Sequence, residues 1–324
     1  MSSSSWINGD AAPSEDRSLF NSEQVGVFLW RYPKPHTRIY ELYEKAKEKA
    51  WNPTTDLVWN STLQEDRSPL SGCSNPLNGF AGYESLNQHE KLKVDWQYHA
   101  IEISELLHGE QAAMIVSAQL IACMPSMETK LFACSQAIDE GRHVEFFSRY
   151  LRGFSSEVRH PSSHLKHLIE ETISDSRWHM KFLVCQILIE SLAMSRFQEL
   201  RENASEPTLR DAVDRIVKDE SRHVRFGVEV LREHFRESSV VEKERLGNWV
   251  LENMLWLSDS ENIYVELGRE RGWDAPALRF HLRTHRLRNA QTGRSRLKIL
   301  SRNLDAIGML TEKLERRITA MTRD

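Results

Sequence analysis

Apolar residues recur along most of this chain at three- and four-residue spacing with charges between them, and strand signals are scarce. That pattern predicts a largely helical protein. HTRIYELYEKAKEKAW (36–51) sets Ile39, Leu42, Tyr43 and Ala46 on one helical face. Residues 52–82, rich in Asn, Pro, Ser and Gly, read as a long surface loop. Residues 84–123 then predict one or two long helices ending at Met124-Pro125. Ser126 caps the next, which runs to Gly153. A third long helix covers about 176–203, with FLVCQILIESLAM at its centre. Glu206-Pro207 opens a fourth, since proline suits a first helical turn. Two or three more helices follow, the last from about Arg294 to Met321.

These elements predict an all-α fold with a disordered lead-in over residues 1–35 and one helical domain over 36–324. A bundle core of about 96–236 is followed by peripheral helices over 240–324. The lead-in has no basic-then-apolar signal pattern. No uncharged apolar run reaches the roughly 20 residues a membrane helix needs. A net charge of -4 gives no reason to expect nucleic acid or an anionic membrane as partner. Cys73, Cys123, Cys134 and Cys185 form no C-x-x-C pair, and three of them sit in apolar helical sequence. They fit packed thiols in a reducing cytoplasm.

The chemistry comes from an internal repeat. Glu110 precedes Glu140-x-x-His143 by thirty residues, and Glu190 precedes Glu220-x-x-His223 by the same interval. An antiparallel helix pair with a short turn brings such a glutamate level with its motif. Within each motif, Glu and His at i and i+3 lie about 5–6 Å apart at their β-carbons and can reach one metal. Two divalent irons about 3.5–4 Å apart need bridging anionic oxygens and suit imidazole nitrogen. The chain supplies four carboxylates and two histidines. Glu190, set among Ile187, Ile189, Leu192 and Ala193, otherwise has little reason to enter a core.

Two further ExxH matches, Glu105-His108 and Glu157-His160, lack a repeated context and read as structural or solvated. The flanks of the chosen pair repeat as D-E-x-R-H-V. Asp139 and Asp219 are placed to accept the free ring N–H of a ligating histidine, with Arg142 and Arg222 balancing their charge. Met114, Phe132, Phe146, Phe147 and Met194 are candidates for a dry pocket beside the metals, although plain core packing suits each position. Gln111, Gln136 and Gln186 are candidates for bonding substrate or bound water, or for satisfying buried polar groups.

The ligand order resembles that of the ferritin-like di-iron carboxylate superfamily, over about residues 96–236. The twin D-E-x-R-H form is similar to that of bacterial multicomponent monooxygenase hydroxylases. Benzoyl-CoA epoxidases and p-aminobenzoate N-oxygenases belong to the same superfamily. The resemblance implies a ferritin-like four-helix bundle with added N- and C-terminal helices. It also implies two Fe ions, with Mn or mixed Mn/Fe compatible, and O2 as co-substrate of a monooxygenase acting on a small organic molecule. A ferredoxin or reductase would supply electrons, and a cytoplasmic homodimer is expected. Desaturation or another oxidase reaction uses the same cluster, and iron binding or storage without organic substrate is the alternative from another class.

Three features depart from those patterns. Met194 stands where the hydroxylases place a threonine, and Phe147 where ribonucleotide reductase small subunits place a radical tyrosine. Ile216, Val217, Lys218 and Asp219 offer none of the extra histidine of the arylamine N-oxygenases, so a close relationship to that group is not expected. From Arg269 onward the chain is basic, which suits docking of an acidic electron carrier or ordinary solvated helix faces. Nine tryptophans suit packing between helices or a dimer interface.

Overall fold

The computed structural model describes residues 20, 22, 25–32, 34, 37–59, 66–71, 75–155, 157–257, 261–288 and 290–323. Most of the 1–35 lead-in and Cys73 lie outside the described residues. Where the lead-in is described, Val27 N–H donates to the Ala122 carbonyl at 2.8 Å and Phe20 packs on the core. Among the described residues there is no strand, only a bridge between Leu70 and Ala204.

Helix α1 (Arg38–Glu48) starts at Thr37, whose hydroxyl accepts from Tyr40 N–H. Helix α2 (Ala81–Glu84) is a single turn at the end of the expected loop. The expected one or two helices are one, α3 (Gln88–Cys123), opened by a reciprocal cap between Asn87 and Glu90 and continuing through Gly109. Ser126 caps α4 (Met127–Arg152). An amphipathic helix that the sequence reading missed, α5 (Ser163–Ser174), follows with Ser162 as its cap.

The third long element is continuous but not uniform. It runs as α6 (Trp178–Phe182), a π-helical segment (Leu183–Ile189) and α7 (Glu190–Asn203). Helix α8 (Pro207–Phe235) begins at the proline, as expected. Beyond it lie α9 (Val240–Leu257), α10 (Glu261–Glu270), α11 (Ala275–Arg288), α12 (Ala290–Ala306) and α13 (Glu312–Arg323). The single helix expected from Arg294 to Met321 is therefore two. Gly308, at φ 72°, takes a left-handed conformation that favours glycine and ends α12.

Helix α3 packs on α4, and α7 on α8, making the two antiparallel pairs of a ferritin-like bundle. One apolar cluster, with Phe132, Phe182 and Phe226, fills one end and continues to α12 and α13. A second, with Phe146, Phe147 and Phe197, fills the other end under the loop that carries Trp51. The four helix segments that carry the repeated glutamates and histidines cross between these two clusters, and there the core turns polar.

Candidate metal centre

Glu110 lies in α3, Glu140 and His143 in α4, Glu190 at the start of α7, and Glu220 and His223 in α8. All six are buried, with both histidines at 0% exposure. Their donor atoms converge in two groups. Glu110, Glu140, His143 and Glu220 form one, and Glu140, Glu190, Glu220 and His223 the other, with atoms within 4.8 Å of one another in each. Glu140 and Glu220 belong to both, the arrangement that bridging carboxylates require.

The residues fit a pair of divalent cations. His143 Nδ1 faces oxygens of Glu110, Glu220 and Glu140 at 3.0, 3.2 and 3.3 Å, and His223 Nδ1 faces Glu140 and Glu220 at 3.2 and 3.3 Å. One ring nitrogen cannot satisfy so many carboxylates. Among the described residues, Glu140 Oε2, Glu190 Oε2 and Glu220 Oε1 are buried without a hydrogen-bond partner, an expensive state for carboxylate oxygens unless cations join them.

The electrostatics of the bare cluster point the same way. Burial drives the carboxyls of Glu110 and Glu190 well above the usual range. Burial also pushes on Glu140, but the charges of His223 and His143 outweigh it and hold that carboxyl well below the range. Burial opposes charge on both imidazoles, yet Glu110 beside His143, and Glu140 and Glu220 beside His223, raise them well above an ordinary histidine. Without cations, protons collect on the imidazoles. Metal binding must displace them.

The flanking carboxylates act crosswise. Asp219, beside the second motif, accepts from His143 Nε2 at 3.2 Å, while Asp139, beside the first, accepts from His223 Nε2 at 3.2 Å. Each aspartate therefore fixes the tautomer of the opposite helix's histidine and leaves Nδ1 toward the carboxylates. Arg142 bonds Asp139 and comes within 3.9 Å of Asp219; Arg222 bonds Asp219 and reaches Asp139 at 3.4 Å. The sequence missed Trp51. Its indole N–H donates to Asp219 at 2.7 Å, and its ring stacks on His143 at 6.3 Å between centroids. With 168 positions separating Trp51 from Asp219, no local spacing signals that contact.

A cavity of about 190 Å³ adjoins the cluster. Glu110, Glu140, Glu190 and Glu220 form one wall, and Leu106, Ala113, Ile189 and Leu192 give it apolar sides. Tyr98, Glu102, Arg196 and Arg296 bring polar groups. Burial lifts the Glu102 carboxyl to about 7 against the pull of Arg196, which bonds it. None of the expected pocket residues Met114, Phe147, Gln186 and Met194 lines this cavity. Small helix rotations explain the misses: Ala113 and Ala193 occupy the wall beside Met114 and Met194, while Phe147 and Gln186 are fully buried elsewhere. Phe132 and Phe146 pack in the two apolar clusters, and Gln111 is exposed on α3. Gln136 and Gln186 instead bond each other, and Gln136 bonds Glu140 and Glu190.

The two rejected ExxH matches have structural work. Glu105 bonds both N–H and hydroxyl of Ser162, and His108 Nε2 meets the Arg159 carbonyl at 2.9 Å, tying α3 to the entry of α5. Glu157 and His160 are exposed. No helix of the described residues is long and apolar enough to cross a membrane.

The fold is similar to that of solved R2-like ligand-binding oxidases. A tyrosine-to-phenylalanine variant with an anaerobically reconstituted Mn/Fe cofactor is 22% identical at a TM-score of 0.52, covering 77% of this chain and 90% of that one. A glycine-to-leucine variant, also with an anaerobically reconstituted Mn/Fe cofactor, is 24% identical at 0.50, covering 79% and 93%. At that identity the likeness shows the fold alone. No curated protein sequence matches the chain. The model of the p-aminobenzoate N-oxygenase AurF family matches residues 33–263, most of the chain. This corrects the expectation drawn from the missing histidine. Of the four positions named for that histidine, Ile216 is fully buried in the apolar cluster at one end of the bundle. The chain is an O2-dependent oxidoreductase of the ferritin-like di-iron class, and it belongs to the p-aminobenzoate N-oxygenase AurF family.

Proposed function

We propose that Glu110, Glu140, His143, Glu190, Glu220 and His223 hold two iron ions, and that the protein uses them to hydroxylate or N-oxygenate a small organic molecule. The observation that carries this reading is the shared wall: the four glutamates of the cluster also bound the cavity. When bound, the metals supply the electrons that activate O2. The protein's side chains do the rest. Asp139 and Asp219 hold the histidine tautomers, the apolar sides exclude water, and the groups around Arg196 and Glu102 orient the polar part of the substrate. The family match supports nitrogen as the atom oxidised.

Each monooxygenation needs two external electrons, so a ferredoxin or reductase is the expected partner, with the basic stretch from Arg269 as its docking face. The Mn/Fe cofactors of the R2-like oxidases favour a mixed metal pair as the second reading, because the same ligand types accept both ions. Metal analysis of protein from its own host decides between them. A cytoplasmic homodimer completes the proposal.

Protein loaded anaerobically with ferrous iron should bind two ions per chain and change its visible absorption on exposure to O2. Glu140→Ala and Glu220→Ala should abolish both. Two irons retained in these variants, or no O2-dependent change in the parent, would remove the reading. Labelled O2 separates oxygenation, which places label in product, from desaturation. Uptake far beyond two ions per chain would favour storage.

A further inference from the structure

Glu140 and Glu190 come from different helices and share one neighbour. Gln136, a turn before Glu140, donates from Nε2 to Glu140 Oε1 at 3.1 Å and to Glu190 Oε1 at 3.2 Å. Its own Oε1 accepts from Gln186 Nε2 at 3.3 Å. The direction of this chain follows from the chemistry of its end. Carboxylate oxygens accept, so Gln136 presents its amide N–H groups to them and its carbonyl to Gln186. Gln186 must then turn its N–H inward, leaving its Oε1 as an acceptor. Both amides are fully buried, and among the described residues Gln186 Oε1 and Glu190 Oε2 have no hydrogen-bond partner. A buried acceptor left unmade costs about 1–3 kcal/mol, which a hydrogen donor arriving at the site recovers.

The neighbouring helix is shaped for this couple. Gly227 lies in α8, one turn past His223, and a Cβ there would come within 2.5 Å of Gln186 Cβ. Glycine in a helix interior costs about 1 kcal/mol relative to alanine. Here it admits Gln186 to the centre of the bundle. The π-helical segment carries that side chain one turn before Glu190, whereas the residue one turn after Glu190 is Met194, which has no donor or acceptor of comparable strength. Within the π-helical segment itself, LVCQILI, Gln186 is the one strongly polar side chain. The first half of the repeat has no counterpart: among the described residues, the hydrogen-bond partner of Glu110 is His143.

We propose that Gln136 and Gln186 form a positioning couple that holds Glu140 and Glu190 in their metal-binding orientation, with Gln186 Oε1 accepting a hydrogen bond from a water molecule brought in with the metals. The inference rests on the metal reading above. Hydrogen-bond partners of metal ligands are commonly worth 10–100-fold in metal affinity.

The test uses the full-length protein and cobalt(II) as spectroscopic probe, with chelator competition for affinity. Gln136→Met keeps the side-chain length without the amide. It should weaken binding of one cobalt per chain by about 10–100-fold and alter the visible spectrum of that ion; the metal-free melting temperature should fall as well, since the buried Gln186 Nε2 loses its acceptor. Gly227→Ala should weaken the same ion by displacing Gln186. In a Gln186→Gly background, adding Gly227→Ala should cause no further loss, because the Cβ and Cγ it would meet are gone. The Gly227 and Gln186 pair reads the same couple should Gln136→Met fold poorly. Parental affinity and spectrum in Gln136→Met would overturn the inference, as would a Gly227→Ala penalty that persists in full without the Gln186 side chain. If the parent protein takes up no cobalt at all, the metal reading fails and this inference falls with it; any of the other negative results leaves the metal reading intact.

Discussion

The two halves of the repeat carry the same ligand types at the same interval and place them in different surroundings. In the first half both helices are regular, and Glu110 sits in an unbroken stretch of α3. In the second, a π-helical segment leads directly into Glu190. The flanks differ too. Trp51 covers the first-motif histidine through Asp219, whereas the edge of Phe132 meets His223 at 6.4 Å. Equal ligands therefore do not make equal metal sites. Each histidine has an aspartate behind it; the first half adds an indole, the second a pair of amides at Glu190 and a helix with altered hydrogen bonding, a feature frequent at functional positions.

The largest effects should come from the ligands that the halves share. Glu140→Ala or Glu220→Ala should reduce metal content from two ions per chain toward none, while Glu110→Ala or Glu190→Ala should leave one, as counted by elemental analysis. Equal loss from all four would erase the distinction between bridging and terminal carboxylates.

Next come the crossed aspartates. Asp139→Asn should weaken the ion held by His223, and Asp219→Asn the ion held by His143, each by about 10–100-fold. Cobalt spectra of the two variants should differ from each other. If each substitution instead perturbed the histidine of its own motif, the crossing would be wrong.

Trp51→Phe keeps an aromatic ring beside His143 and removes the bond to Asp219. A hydrogen bond to a charged acceptor is worth about 1.5–3 kcal/mol, so the denaturation midpoint should fall accordingly, and the first-half metal should loosen more than the second. The effect at Glu102 is comparable in size but confined to one pH window. Its carboxyl is raised from 4.5 to about 7, so the folded protein holds this proton more tightly than the unfolded chain. The group stabilises the fold below its unfolded value, and that contribution is lost as pH rises through the window from 4.5 to about 7. At 1.36 kcal/mol per unit the loss is at most about 3 kcal/mol. Glu102→Gln should flatten this part of the stability profile in chemical denaturation at several pH values, and an unchanged slope would contradict it.

Much of this molecule is readable from local rules. The caps at Ser126 and Pro207 and the duplicated ligand interval depend on residues a few positions apart, or on an interval repeated within the chain, so the long helices and the convergence of the six side chains are legible. What escapes depends on helix rotation and on distant contacts. Asp139 and His143 lie one turn apart, which suggests a bond within α4, yet the aspartate reaches across to α8. The cavity wall passes Met114 and Met194 by about one residue, because spacing gives the face of a helix only to within tens of degrees. Gly227 had a readable signal, a glycine inside a strongly amphipathic helix, which often marks close approach. Gly308 ends a helix through a left-handed backbone that apolar periodicity does not register.

The cavity has two kinds of boundary. Its inner wall is built from the duplicated core, while Leu257 and Arg296 reach it from α9 and α12, far along the chain from any ligand. Reagent and mould are thus written in separate stretches of sequence. On the proposed reading, changes in the late helices would recut the shape offered to a guest molecule while the cluster of glutamates and histidines stays as it was.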